Sequence, residues 1–197
     1  MGTIVAFENI SLDGVTQDPT AEEGVSRDDW RAGLGPADRE AWYKMITDDA
    51  LGAQAVLLGR RSYEYFAARY PSRTGALADR LNSLPKFVVS TALADPDWTN
   101  STVLAGDVVD SVAALKRTVP GEMRVYASTR LMHTLVEHDL VDELRLVVFP
   151  LVMGVGERLF GRTSNHKQMR LVDVRTVGDS LTHLTYQRVR GAERPAE

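Results

Sequence analysis

The stretch that decides the fold is VLLGRRSY, residues 56–63. Its apolar run predicts a strand that is buried on both faces and ends at Gly59. The next residues, Arg60, Arg61 and Ser62, begin a segment whose apolar residues have helical spacing. Free N–H groups and the positive end of the helix dipole make an anion site at a helix N-terminus, and arginine suits phosphate geometry. The stretch therefore predicts a junction that holds a phosphate-bearing ligand. The alternative is that Ser62 is only a helix cap and that the arginines are solvated.

A second junction of the same form lies further along the chain. Residues 125–131, VYASTRL, again run from a strand through small residues into a helix. Ligands of open parallel sheets bind outside the carboxyl ends of the strands, so two such junctions can meet around one ligand. A third strand ends at Ser90-Thr91, whose hydroxyls either face the same edge or belong to a simple strand-to-loop turn.

The rest of the chain alternates in the same way. Predicted strands over 4–7, 55–58, 86–90, 102–105 and 124–126 alternate with predicted helices over 38–52, from 60, and over 76–81, 107–119 and 128–138. Extended sequence then follows, as a run over 141–153 and a hairpin whose strands, 168–177 and 180–189, flank Gly178-Asp179. We therefore predict a single α/β domain over 1–190, with a mixed, mostly parallel sheet flanked by helices and a C-terminal antiparallel hairpin. A long loop is predicted over 16–35 and a frayed tail over 191–197.

Composition narrows the function classes. The chain has 197 residues, with 23 Lys and Arg against 27 Asp and Glu, and this acidic balance argues against a nucleic-acid partner. The absence of Cys excludes disulfides, thiolate metal sites and cysteine nucleophiles. No apolar stretch approaches the roughly 18 residues of a membrane span. His133 and Glu137 lie one helical turn apart but match no metal motif, so we expect no metal ion, and we expect a cytoplasmic, bacterial protein.

Several motifs, taken in order, resemble the dihydrofolate reductase superfamily. They are SLDG at 11–14, LLGRRSYE at 57–64, KFVVST at 86–91 and the junction at 127–131. The most specific match is LVDELRL at 140–146 with FPLVMGVGERLF at 149–160. It resembles a late strand and the following loop in the branch that holds the reductase domain of bacterial riboflavin biosynthesis. The resemblance covers roughly residues 3–190.

This resemblance implies a dihydrofolate-reductase-like fold and a reductase that uses NADPH on a small heterocycle, such as a pterin or a pyrimidine. It also implies which residues contact the cofactor. The phosphates are assigned to Gly59, Arg60, Arg61 and Ser62, the adenosine 2′-phosphate to Ser90 and Thr91, and the pyrophosphate and nicotinamide side to Ala127, Ser128, Thr129, Arg130 and Leu131.

The sequence departs from the family pattern in two places. The family generally begins the late helix with Gly-Ser-Gly or Gly-Gly, which permits close approach to the pyrophosphate, whereas this chain has Ala127-Ser128-Thr129. The acid that protonates the substrate has no certain counterpart: Asp13, Asp38 and water stay open, and an N-cap role explains Asp38 equally well. Trp30, in the long loop, either covers the pocket as part of a lid or anchors the loop by packing.

Three hypotheses follow. The first is an NADPH-dependent reductase. The second is a non-catalytic or weakly nucleotide-binding module that keeps the fold, for which the missing glycines are the warning. The third is a homodimer whose extended run over 141–153 forms the subunit interface, and it is compatible with either of the others.

Overall fold

An eight-stranded sheet organises the computed structural model, which describes residues 1–189. In chain order the elements are β1 (Thr3–Ile10), α1 (Pro36–Gly52), β2 (Ala55–Gly59), α2 (Arg60–Ala67), α3 (Ala76–Ser83), β3 (Lys86–Val89), β4 (Ser101–Leu104), α4 (Val108–Thr118), β5 (Glu122–Tyr126), α5 (Thr129–Glu137), β6 (Glu143–Val148), β7 (Met169–Val177) and β8 (Leu181–Arg188). A short 3₁₀ helix, Trp30–Gly33, lies in the long loop between β1 and α1. The tail predicted to fray, 191–197, lies outside the described residues.

The strands lie in the order β4-β3-β2-β5-β1-β6-β8-β7. All pairings from β4 to β6 are parallel, whereas β8 runs antiparallel to both β6 and β7. The predicted mixed, mostly parallel sheet with a C-terminal antiparallel hairpin is therefore confirmed. Because β3, β2, β5 and β1 are parallel neighbours, their carboxyl ends lie side by side along one edge of the sheet.

Helices cover both faces of the parallel strands, as predicted. Successive residues of a strand point to opposite faces, so β2 contributes to two cores. Leu57 packs with Leu131 of α5 on one face, while Val56 and Leu58 lie in the cluster that holds Leu81 of α3 on the other. These side chains are at most 7% exposed, and full burial of each contributes about 1.5–3 kcal/mol.

One local prediction is wrong, and two helix-cap interpretations that were left open are also wrong. The extended run over 141–153 contains a strand only over Glu143–Val148, because the chain leaves the sheet just before Pro150, which has no N–H for a ladder. Asp38 is not the N-cap of α1: Gly35 holds that position, and Asp38 is the third helical residue. Ser62 is likewise the third residue of α2, with Gly59 at the N-cap position.

Within residues 1–189, no helix is long and apolar enough to cross a bilayer. The same residues contain no group of three or more His, Cys, Asp or Glu side chains that is arranged to hold a metal ion.

Candidate functional site

The β2–α2 and β5–α5 junctions meet at the carboxyl edge of the sheet. Their strands are neighbours, with Leu57 opposite Val125. The backbone N–H of Ser128 donates to Oγ of Ser62 at 2.9 Å, and the backbone N–H of Gly59 donates to Oγ of Ser128 at 3.0 Å. The structure thus brings together the two corners that the sequence predicts to share one ligand.

The turn that opens α5 has a backbone conformation that favours glycine. Ala127 has φ 50° and Ser128 has φ 64°, and this left-handed region costs a side-chain-bearing residue about 1–3 kcal/mol. Oγ of Ser128 offsets part of that cost, because it donates to the carbonyl of Tyr126 at 3.0 Å while it accepts from Gly59. The turn therefore has the backbone conformation for which the resemblance implied glycine.

Both junctions direct helix N-termini to this edge. The first N–H groups of an α-helix have no partner within the helix, and the helix dipole adds positive potential there. In α2 these groups belong to Arg60, Arg61 and Ser62, and in α5 to Thr129, Arg130 and Leu131. The arrangement can bind an anion through backbone amides from two helices at once.

The three arginines at the junctions differ in their ion pairs. Arg60 pairs with Glu64 at 3.0 Å, and Arg130, whose side chain is 77% exposed, lies 3.7 Å from Glu157. Arg61 is exposed and forms no ion pair within residues 1–189. Arg61 is therefore the cation that a phosphate group can recruit without breaking an existing pair.

The third predicted contact point lies beside the first junction. β3 pairs with β2, and Ser90 follows Val89, which is opposite Gly59. Oγ of Ser90 accepts from the N–H groups of Ala92 and Leu93 at 3.1 and 2.9 Å, so this hydroxyl stabilises the turn as the alternative interpretation proposed. Thr91 is exposed at the same edge.

Asp13 fastens the loop after β6 to the end of β1. Its carboxylate accepts from the Ser11 hydroxyl at 2.7 Å and from the N–H groups of Met153 and Gly154 at 3.0 and 2.9 Å. The Ser11 hydroxyl, followed by those two amides, holds the pKa of Asp13 well below its usual range. A carboxylate that stays ionised at neutral pH is poorly suited to donate a proton.

Asp38 holds the turn between β7 and β8. It accepts from the hydroxyl of Ser180 at 2.5 Å and from the N–H groups of Asp179 and Ser180 at 2.6 and 3.0 Å. The Ser180 hydroxyl, then the Asp179 amide, lowers the pKa of Asp38. Both predicted acids therefore accept hydrogen bonds that hold loops, and their lowered pKa values favour neither as the proton donor.

Comparison with known proteins identifies the family. The family model described as the RibD C-terminal domain matches residues 2–183. The chain belongs to the RibD C-terminal domain family. The predicted resemblance to the reductase domain of riboflavin biosynthesis is therefore confirmed, and the fold is that of dihydrofolate reductase.

Two solved structures share the fold at low sequence identity, and one further protein is similar in sequence. A Shewanella sp. PV-4 structure named for riboflavin biosynthesis is 22% identical, with a TM-score of 0.74 over 95% of this chain and 99% of its own. Enterococcus faecalis dihydrofolate reductase, solved with NADP(H), is 12% identical, with a TM-score of 0.55 over 94% of this chain and 96% of its own. The Bacillus subtilis protein YyaP is 25% identical over 147 residues, 72% of this chain and 77% of its own length.

Sequence reasoning missed the buried acid near the carboxyl end of β1 in this RibD C-terminal domain. Glu8, on β1, is 3% exposed, and its Oε2 accepts from the Thr16 hydroxyl at 3.3 Å. Burial raises the pKa of Glu8 well above its usual value, although the Thr16 hydroxyl and the Ala127 amide oppose this. The signal was a charged residue within the apolar segment IVAFENI, and it was missed because the predicted strand stopped at Phe7.

Partly exposed aromatic side chains lie at the same edge, on the α1 side of the sheet. Phe66 of α2 and Tyr126 of β5 meet edge to face with ring centroids 6.5 Å apart. Trp42 of α1 donates from Nε1 to Oδ1 of Asn9 at 3.1 Å, and the Arg31 guanidinium lies 5.6 Å from the Trp42 ring centroid. Such ring surfaces can stack on a flat conjugated molecule.

Two contacts hold the long loop between β1 and α1 against the rest of the domain. Trp30 is 4% exposed and packs against Phe149, with ring centroids 5.6 Å apart. Of the two alternatives, a lid over the pocket or a packing anchor for the loop, this contact supports the anchor. Nearer β1, Glu22 pairs with Arg69, which lies just after the end of α2. The loop therefore runs from β1 to α2 along the edge that carries the junctions.

Proposed function

We propose that this protein is an NADPH-dependent reductase that transfers hydride to a small heterocyclic substrate, pterin-like or pyrimidine-like. The observation that carries the proposal is the pair of hydrogen bonds that joins Ser62 to Ser128 and Ser128 to Gly59 across two helix N-termini. It supports a dinucleotide because that ligand has its pyrophosphate in the middle and one nucleoside on each side.

The residues at the junctions fit such a group. A Cβ added at Gly59 would lie 3.8 Å from both Ser128 and Leu131, so the two corners are in van der Waals reach of each other. Amides from two helices and the unengaged guanidinium of Arg61 form a donor set that suits phosphate. The left-handed backbone of Ala127 and Ser128 supplies the turn for which the family uses glycine.

Each predicted contact keeps a role in the proposal. At the β2–α2 junction, phosphate is bound by Gly59, Arg60, Arg61 and Ser62. At the β5–α5 junction, the cofactor is bound by Ala127, Ser128, Thr129, Arg130 and Leu131. The 2′-phosphate is assigned to Ser90 and Thr91. Leu131 contributes through its backbone, since its side chain is 7% exposed in the core. When bound, reduced nicotinamide supplies the hydride. Phe66, Tyr126 and Trp42 orient the flat substrate ring and exclude water from it.

We also propose a homodimer as the assembled form. The predicted interface segment carries Val152, which is 70% exposed, and the edge strand β7 exposes Leu171 and Val174 by 47% and 56%. An edge strand with exposed apolar side chains is prone to pair with a second copy. Light scattering on wild type and on a Val174→Lys variant tests this, and a monomeric wild type would refute it.

The dinucleotide proposal is tested by titrating the protein with NADPH and following nicotinamide fluorescence. We expect saturation, and Arg61→Ala should weaken NADPH roughly tenfold, because one charge-assisted phosphate contact is lost. The same variant should weaken NADH less if Arg61 contacts the 2′-phosphate. Arg117→Ala, an exposed arginine at the end of α4, is the matched control and should leave both affinities unchanged. The absence of any saturable change at millimolar NADPH would favour the non-catalytic module.

A further inference from the structure

The sheet ends in one long edge strand, β7. The two outer strands are β4, which has four residues, and β7, which has nine and contains no proline. Within residues 1–189, β7 pairs only with β8, so one row of its backbone N–H and C=O groups points away from the sheet. β7 can therefore accept another strand along its outer side.

Two charged side chains of opposite sign lie on one face of β7. Asp173 and Arg175 line the cleft between α1 and the sheet, together with His183 of β8. Their side chains are 52% and 58% exposed, and Nε of Arg175 lies 4.0 Å from Oδ2 of Asp173. This distance is too long for a hydrogen bond. Both groups can therefore form a closer ion pair with another chain.

The opposite face of β7 is apolar. Val174, between the two charged residues, is 56% exposed, and Leu171 is 47% exposed. Val174 is opposite Leu184 of β8, which packs against the core on the α5 side of the sheet. A second strand beside β7 would remove apolar surface of Val174 from water. The edge thus offers charge on one face and apolar area on the other.

The positions of the charges decide which register two identical strands can adopt. In an antiparallel pair about a two-fold axis through residue 174, each residue 174 + n is opposite residue 174 − n of the other copy. Asp173 is then opposite the partner's Arg175, and Arg175 is opposite the partner's Asp173. An axis through Asp173 or through Arg175 would instead bring two like charges together, which is destabilising.

We propose that β7 is a self-complementary pairing surface, on which two copies of this chain form an antiparallel strand pair centred on Val174 and fixed by two Asp173–Arg175 ion pairs. This inference rests on the proposed homodimer and assigns its interface to β7. Cβ atoms of directly opposite residues lie about 4.5–5.5 Å apart, so the carboxylate and the guanidinium reach each other. Charges on an edge strand usually prevent pairing, but here they select one partner and one register.

The test exchanges these charges and follows the whole chain by sedimentation velocity over a range of concentrations. Asp173→Arg places two arginines opposite each other at both contacts, and Arg175→Asp places two aspartates there. The double variant, which combines the two substitutions, restores both ion pairs with reversed polarity. Asp110→Arg and Arg117→Asp make the same charge changes at exposed positions of α4 and serve as matched controls.

We expect each single reversal at β7 to weaken the dimer at least about tenfold, because two attractive contacts become two repulsive ones. The double variant and both controls should stay within about threefold of wild type. An equal mixture of Asp173→Arg and Arg175→Asp should form a heterodimer, since every contact between these two variants joins opposite charges. A heterodimer also shows that neither variant has misfolded.

Single reversals that dimerise as tightly as the controls overturn this interface, and so does a double variant that dimerises no better than the single reversals. In both cases the homodimer stands and must use another surface. A wild type that is monomeric at every concentration overturns the homodimer and this inference together. The reductase is tested separately by the NADPH titration.

Discussion

The two left-handed residues before α5 should respond in opposite ways to glycine. Ala127 and Ser128 are adjacent and share the positive-φ region, with φ 50° and 64°. They differ in what their side chains do: the Ala127 methyl forms no hydrogen bond, whereas Oγ of Ser128 bonds to Gly59 and Tyr126. Ala127→Gly and Ser128→Gly therefore separate backbone strain from the hydrogen bonds that join the junctions.

The magnitudes follow from these contacts. Glycine relieves about 1–2 kcal/mol of left-handed strain at either position and loses about 0.5–1 kcal/mol through the entropy of the unfolded chain. Ala127→Gly should therefore raise the free energy of unfolding by about 0.5–1 kcal/mol. Ser128→Gly gains the same difference but loses two hydrogen bonds of about 1 kcal/mol each, and it leaves the Gly59 N–H without its acceptor. Ser128→Gly should therefore be about 2 kcal/mol less stable than Ala127→Gly.

Urea unfolding followed by tryptophan fluorescence measures both variants, since the chain has three Trp. The most informative quantity is the difference in the free energy of unfolding between the two variants, because the relief of strain and the entropy of glycine contribute to both and cancel. Ser62→Ala provides an independent check, since it removes the acceptor of the Ser128 N–H and should cost about 1 kcal/mol. Equal stability of the two glycine variants would refute the claim that Oγ of Ser128 holds the junctions together.

Three further perturbations test the scaffold around the site. Gly178→Ala should lower the free energy of unfolding by more than about 2 kcal/mol, because φ is 64° there and the new Cβ would lie 2.6 Å from Cα of Asp38; an unchanged urea midpoint would contradict this. Asp49→Ala should lower it by about 3 kcal/mol, because buried Arg124 loses the carboxylate that lies 2.8 Å from its Nε, and a loss below about 1 kcal/mol in the same assay would argue against that pair. Burial lowers the pKa of Lys86 to about 8 from 10.5, so the folded state releases this proton first and stability should rise between pH 8 and 10.5. Lys86→Met should abolish that rise, as measured by thermal unfolding across this pH range. If stability rises with pH in the variant as steeply as in wild type, the reasoning is refuted.

Much of the fold could be predicted because its signals are local. The apolar run at 56–58 and the Gly178-Asp179 turn each report on a few consecutive residues, and the observed β2 and the β7–β8 hairpin agree with them. The predicted helix over 107–119 begins with Asp107, a residue type that favours helix caps, and its side chain accepts from the N–H groups of Val109 and Asp110. The ends of the strands were harder to predict from the sequence. Pro150 ends β6 before the end of the predicted extended run, and the charged Glu8 interrupts the apolar pattern although β1 continues beyond Phe7.

The candidate site shows the same division. The sequence by itself determined that two strands end in small or cationic residues before helices, and that the chain resembles a reductase family. Only the tertiary structure decided that Ser62 and Ser128, 66 residues apart in sequence, form a hydrogen bond, and that Asp13 and Asp38 hold loops through hydrogen bonds. It also decided that, within residues 1–189, Oε1 of Glu8 is buried without a hydrogen-bond partner. The physical reason is that a turn or an apolar run is specified by neighbouring residues, whereas the partner of a polar atom depends on which distant segments the packed sheet brings within about 3 Å.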